Sequence, residues 1–155
     1  MTASELPKRD SCKRDDLVTG YRQVAPETRR RMLAVRARNT APELRVRSVL
    51  HAIGYRYGLH RKDLPGTPDI VLSRHRKIVL VHGCFWHGHE DCKRATRPVN
   101  NASMWAAKIE GNRLRDQRNV AALNALGWGV LVVWECEVRD LPRLEARLRA
   151  FLDGR

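Results

Sequence analysis

No run of apolar residues approaches the ~18 needed to cross a bilayer, and the opening MTASELPKRDSCKRDD lacks an apolar stretch of signal-peptide length. The expectation is a cytoplasmic protein with no membrane partner. Acidic residues are few, 17 Asp and Glu against 30 Lys and Arg, and the resulting net charge of +13 is far from the balance usual for an enzyme of small metabolites. Such a surface attracts polyanions. Twenty-four of the 30 basic residues are Arg, a bias that fits phosphate recognition by its planar fork and equally fits a coding preference. Only four cysteines occur, Cys12, Cys84, Cys92 and Cys136, and in a reducing compartment those near histidines suggest metal rather than disulfides. Aromatic residues make up only 6%. No internal repeat or low-complexity segment is present, which excludes solenoid and array architectures.

What remains is one domain's worth of chain. At 155 residues and 43% hydrophobic, it can bury a single core. Residues 1–25 mix Lys, Arg, Asp and Ser without periodicity and read as a flexible basic tail, leaving 26–155 as a single domain. From Pro26, ETRRRMLAVRA can form a helix. Thr40-Ala41-Pro42-Glu43 looks like a capping box opening ELRVRSVLHAI, closed by Gly54, with Leu44, Leu50 and Ile53 toward the core. Extended runs follow at 55–60, 69–73 and 77–82, separated by turn signals. Ser103 can cap a long helix that Gly127 ends; Trp128 to Glu135 reads as a strand, and an amphipathic helix starts at Leu141. This order suits a mixed α/β fold, a sheet covered by helices.

Residues 84–102 hold no period but concentrate Cys, His, Phe and Trp. Cys84-x4-His89-x2-Cys92, with Cys136 after forty-three intervening residues at the end of a strand, forms a Cys3His set of the kind that closes a tetrahedral structural zinc site. The competing reading makes Cys92 a loop thiol and Cys136 a buried core thiol. Pro68-Asp69 opens one strand while the next runs into His82, so strand ends bring a carboxylate and an imidazole together. Carboxylate oxygens suit Mg²⁺, and His82 and His87 are candidate proton-transfer groups for phosphodiester hydrolysis. Each has a plain structural alternative: a strand-start residue for Asp69, a capping-box residue for Glu43. Phe85 and Trp86 stand together in the polar loop, with Trp105 one turn into the long helix. They read either as wedges that unstack bases or as a hydrophobic cluster lidding the loop.

The run VHGCFWHGHEDC at 81–92, with RRRMLAVRARNTAPELRVRSVL, LPGTPDIVL, MWAAKIEGN and GWGVLVVWECEVR, resembles the very short patch repair (Vsr) mismatch endonucleases over about residues 28–140. The resemblance implies a restriction-endonuclease-like α/β fold, a mixed sheet flanked by helices with a structural zinc loop. It also implies nicking of double-stranded DNA 5′ of the thymine in a T:G mismatch left by 5-methylcytosine deamination, giving 3′-hydroxyl and 5′-phosphate ends. Carried over by motif, Asp69 and the backbone carbonyl of Val81 would hold Mg²⁺, and His87 would act as general base supported by His82 and Glu43. Val81 stands where the best-known member has Thr, a change that a carbonyl ligand tolerates. Cys84, His89, Cys92 and Cys136 would hold zinc. Phe85, Trp86 and Trp105 would wedge beside the mismatch, Met32 and Val35 would enter from the opposite groove, and Lys108 and Asn112 would contact DNA. The family further implies a nucleoid-associated bacterial monomer that hands its product to mismatch-repair factors and a repair polymerase. Two alternatives stay open at this point: a zinc-stabilised DNA-binding module without catalysis, and a related nuclease with another DNA substrate.

Overall fold

The computed structural model describes residues 38–154, together with Pro26, Glu27, Arg30 and Ala34. The expected tail at 1–25 and most of the helix expected from Pro26 lie outside the described residues; Pro26, Glu27 and Arg30 are helical. Contacts divide the chain into Met1–Val35 and Arg36–Arg155, and the elements below belong to the second unit.

Helix α1 spans Ala41–Ala52. Thr40 caps it by accepting from the Glu43 N–H, and Glu43 reaches back to the Asn39 N–H at 3.0 Å, so the capping box closes one residue earlier than its usual form. Its buried stripe is Glu43, Val46, Arg47 and Leu50, at helical spacing. That stripe leaves Leu44, expected in the core, 51% exposed, because one residue along a helix turns the side chain by about 100°.

Four strands follow: β1 (Gly58–Leu59), β2 (Ile70–Leu72), β3 (Lys77–His82) and, after helix α2 (Ala102–Ala125), β4 (Gly129–Trp134). They pair in the order β1-β2-β3-β4, antiparallel except for parallel β3 and β4. The strand expected at 55–60 shrinks to two residues, since its partner β2 offers only three. Helix α3 (Leu141–Asp153), capped by Asp140, ends the chain. Alternation along the strands sorts the core. Ile70, Leu72, Val79 and Val133 pack with Val46 and Leu50 of α1 and Leu144, Leu148 and Leu152 of α3. On the opposite face, Val71 and Ile78 meet Leu123 and Trp128. A mixed four-stranded sheet between helices is the α/β layer architecture expected.

Helix α2 starts at Ala102, after Asn101 in a left-handed conformation that makes no side-chain cap bond, so Ser103 is inside the helix rather than at its cap. Gly127, at φ +79°, follows its end. At about 1.5 Å per residue this helix is about 36 Å long, yet only Trp105 and Leu123 of its 24 residues are buried. The rest is half-buried or exposed and carries Lys108, Arg113, Arg115 and Arg118. No helix among the described residues is long and apolar enough to cross a membrane.

Candidate metal centres and nucleic-acid interface

Parallel pairing matches His82 with Trp134, so the two residues after each strand end, Cys84 and Cys136, leave the sheet side by side. The loop after β3 then turns back through backbone bonds from His87 N–H to Gly83 O and from His89 N–H to Cys84 O. Gly88, at φ +60°, lies against α2 where a Cβ would meet Ile109 at 2.7 Å, so only glycine permits this close approach. The result gathers one ligand atom each from Cys84, His89, Cys92 and Cys136 within 4.8 Å of one another. A tetrahedral zinc ion, with Zn–S of about 2.3 Å and Zn–N of about 2.05 Å, sets an S···N edge of about 3.6 Å. The Cys136 Sγ to His89 Nδ1 distance is 3.5 Å. The His89 ring stacks on Trp134 at 4.2 Å, which fixes its plane. Burial pushes the Cys84 thiol up to about 12 and also raises Cys136, while the Arg94 N–H lowers Cys92. A dication among these groups would favour the thiolates that burial opposes.

Antiparallel pairing of Ile70 with Val79 brings the start of β2 to the end of β3, where Asp69 Oδ2 accepts from the Val81 N–H at 2.9 Å. Burial raises the Asp69 pKa, against the lowering effect of the Val81 N–H; the Glu43 charge raises it further, and His60 and His87 lower it. A carboxylate that pays to be charged beside a second carboxylate is suited to binding a cation. Glu43, His60 and Asp69 place ligand atoms within 4.8 Å of one another, and so do His82, His87 and Asp116. His87 donates from Nδ1 to Asp116 Oδ2 at 2.5 Å and stacks face to face on His82 with ring centres 4.0 Å apart. Burial, then the neighbouring His87 charge, press the His82 pKa down to about 4, so His82 is neutral near pH 7. Burial acts to raise Asp116, but the His87 hydrogen bond and the charges of His87, His82 and Arg115 outweigh it and hold the carboxyl below its ordinary value. A cleft of about 560 Å³ between α2 and the β3–β4 edge is lined by His82, His87, Asp116 and Trp134.

These centres lie at one end of the sheet in a strongly basic chain, with loop residues 83–92 between them. The family model described as DNA mismatch endonuclease Vsr matches residues 23–94. The type II nicking enzyme V.XorIIP of Xanthomonas oryzae pv. oryzae is 58% identical over 132 residues, covering 84% of this chain and 96% of that protein. The chain belongs to the Vsr family of DNA mismatch endonucleases. The DNA mismatch endonuclease Vsr of Escherichia coli K12 is 40% identical over 113 residues, covering 73% and 72% of the two chains. The type II nicking enzyme V.NmeAIP of Neisseria meningitidis is 41% identical over 117 residues, covering 76% and 83%. Among solved structures, the catalytic domain of the homing endonuclease I-Bth0305I matches at a TM-score of 0.48 and 19% identity, covering 73% of this chain and 94% of that one. This Vsr-family chain is a DNA endonuclease of mismatch repair, and the reading of a binding module without catalysis falls away.

The expected wedge residues form one cluster. Phe85 and Trp86 meet edge to face at 5.1 Å, and Trp105 stands 5.5 and 6.1 Å from them. Trp105 is only 3% exposed, where an open wedge was expected, so in this conformation it buttresses the half-buried Phe85 and Trp86. Asn112, expected on DNA, donates from Nδ2 to the Trp86 carbonyl at 2.8 Å and so anchors the loop. Lys108 is half-buried one turn before it on α2. Met32 and Val35 lie outside the described residues. Three residues beside these centres, Asp116, His60 and Arg47, are absent from the sequence-derived set. Asp116 is 29 residues from His87 on a basic helix, His60 follows a two-residue strand, and Arg47 reads as an ordinary i,i+4 partner of Glu43. No local pattern distinguishes them.

Proposed function

We propose that this Vsr-family endonuclease is Mg²⁺-dependent and nicks one strand of duplex DNA 5′ of the thymine in a T:G mismatch. The observation that carries the reading is the pairing of two arrangements at one sheet end: Asp69 held by the Val81 N–H, and His87 held by Asp116. Asp69 and the Val81 carbonyl hold the Mg²⁺, which when bound neutralises charge on the phosphate and favours deprotonation of water. His87, with Nδ1–H engaged by an ionised Asp116, has the Nε2 lone pair free to take a proton from the attacking water. Neutral His82, stacked on it, and Glu43 support the water and the phosphate. The product carries 3′-hydroxyl and 5′-phosphate ends and passes to mismatch-repair factors and a repair polymerase.

Cys84, His89, Cys92 and Cys136 hold a structural zinc that pins the 83–92 loop. That loop presents Phe85 and Trp86, backed by Trp105, to the base stack, while Met32 and Val35 enter from the other groove and Lys108 and Asn112 face the DNA. Opening a stack costs a few kcal/mol and least at a mismatch, so the wedge contributes selectivity. Curated relatives named nicking enzymes support cutting of one strand. The chain acts as a monomer in the bacterial cytoplasm on nucleoid DNA, its residues 1–25 a basic tail ahead of a single domain. The test is a Mg²⁺-dependent nicking assay on end-labelled duplexes, T:G mismatches in varied contexts beside paired controls, with Asp69→Ala in parallel. Nicking just 5′ of the mismatched thymine by wild type alone is expected. Equal nicking of paired duplex, or an active variant, overturns the reading.

A further inference from the structure

Glu43 and Asp69 are two carboxylates with oxygens within 4.8 Å, His60 stands with them, and a further charged group, Arg47, is bonded to Glu43 and His60. Arg47 is 8% exposed and Glu43 3%, unusual for an i,i+4 ion pair, which ordinarily lies on the solvent face of a helix. The Arg47 guanidinium donates from Nη2 to Glu43 Oε2 at 2.8 Å and from Nη1 to Asn39 Oδ1 at 2.7 Å. Nη2 also lies 3.1 Å from His60 Nε2. Its Nε–H has no partner among the described residues. The cation is thus held by Glu43 and His60 of this centre and by Asn39 at the helix cap.

The bonds have consequences for what the other groups can do. A guanidinium only donates, so His60 receives it at an unprotonated Nε2, and that lone pair is used. Glu43 Oε2 accepts from both the Asn39 N–H and Arg47, and Oε1 accepts from the Thr40 hydroxyl at 3.1 Å. With two acceptor positions per oxygen, Oε2 is full and only Oε1 has one left. Of three groups close enough to share a cation, Asp69 alone keeps a carboxylate that no side-chain donor occupies.

We propose that Arg47 is a resident cation of the catalytic centre, a positioning residue that neutralises Glu43, withholds it and His60 from direct ligation, and thereby sets how weakly the DNA-free protein holds its divalent ion. This rests on the reading of Asp69 as the metal-holding residue. With Arg47 the centre carries one net negative charge from Asp69, Glu43 and Arg47; without it, two. Weak retention of the ion by the free protein leaves the substrate phosphate as the partner that completes the site, coupling metal capture to DNA.

The test measures free Mn²⁺ by electron paramagnetic resonance during titration of the DNA-free protein as purified. Arg47→Gln should bind Mn²⁺ tighter by roughly tenfold or more, from the loss of one repelling charge and the freeing of Glu43. Its melting temperature should rise more on adding Mn²⁺ than that of wild type. Arg47→Lys, which keeps the charge, should stay within about threefold of wild type, and Glu43→Gln/Arg47→Gln should lose most of the gain. Should Arg47→Gln not fold, Glu43→Gln alone serves: its uncompensated Arg47 should weaken Mn²⁺ binding about tenfold. Unchanged affinity in Arg47→Gln, or in Glu43→Gln where that is the variant measured, overturns the proposal. Asp69→Asn separates the two levels. If it binds Mn²⁺ like wild type, the metal reading of Asp69 itself fails; if it loses binding while Arg47→Gln matches wild type, only the role of Arg47 fails.

Discussion

Replacing Asp116 by Asn keeps the size of the side chain and an oxygen able to accept from His87 Nδ1, but removes the charge. The native contact is 2.5 Å between side chains 21% and 18% exposed, short and largely shielded from solvent. A hydrogen bond to a charged group contributes about 1.5–3 kcal/mol, and the contribution grows as His87 takes up a proton from the attacking water. If that full amount is realised in the transition state, at about 1.36 kcal/mol per tenfold, nicking slows by roughly 10- to 150-fold. The assay is single-turnover nicking of a T:G duplex at saturating enzyme and Mg²⁺, with DNA affinity measured separately in Ca²⁺. The chemical step should fall within that range while affinity changes by less than about twofold. A nicking rate within twofold of wild type refutes the argument, as does a loss that tracks weaker DNA binding. The carboxylate contributes to folding in the same direction. Its pKa is depressed in the folded protein, so its stabilisation is present above the ordinary carboxylate range and fades as pH falls through the depressed value. Asp116→Asn should therefore flatten the loss of stability on acidification, read from melting temperatures between about pH 5 and pH 2.

Asp69 works the other way. Burial raises its pKa, so its charge costs stability above that raised value and the cost is relieved as pH falls through it. Without divalent ions, Asp69→Asn should melt a few degrees higher than wild type near pH 7, and with Mg²⁺ it should nick nothing; a lower melting temperature would contradict the account. One zinc per chain is expected in the protein as purified, and elemental analysis of Cys92→Ser should find it depleted, with earlier proteolysis of the 83–92 loop. A wild-type preparation that is folded, active and free of zinc would sink that assignment. Trp86→Ala should reduce discrimination between T:G and paired duplexes more than it weakens binding to paired DNA. Trp105→Ala, removing a buried buttress, should cost about 3–5 kcal/mol of stability in denaturant unfolding, whereas a loss below 1 kcal/mol would mean that Trp105 is not part of the packed structure.

The segments that became α1, β2, β3, α2, β4 and α3 were legible in sequence because propensity, alternation and capping act over a few residues. The Cys84, His89, Cys92 and Cys136 set was legible because metal-ligand chemistry restricts residue types and spacing, and the HGCFWH loop because its residues are rare in combination. Tertiary structure decided what depends on register and helix phase. The one-residue phase of the α1 stripe exposed Leu44 and buried Arg47 beside Glu43. The length of β2 limited β1 to two residues and set His60 just beyond it. The packing of the loop on α2 buried Trp105, turned Asn112 toward the Trp86 carbonyl and brought Asp116 to His87 across 29 residues. An Asp on an exposed basic helix and an Arg four residues after a Glu are common in sequence. Only the seating of α2 against the loop after β3, for Asp116, and the buried phase of α1, for Arg47, made them neighbours of the reacting groups, because contacts between residues far apart in the chain follow from how whole elements pack and not from what stands next to them.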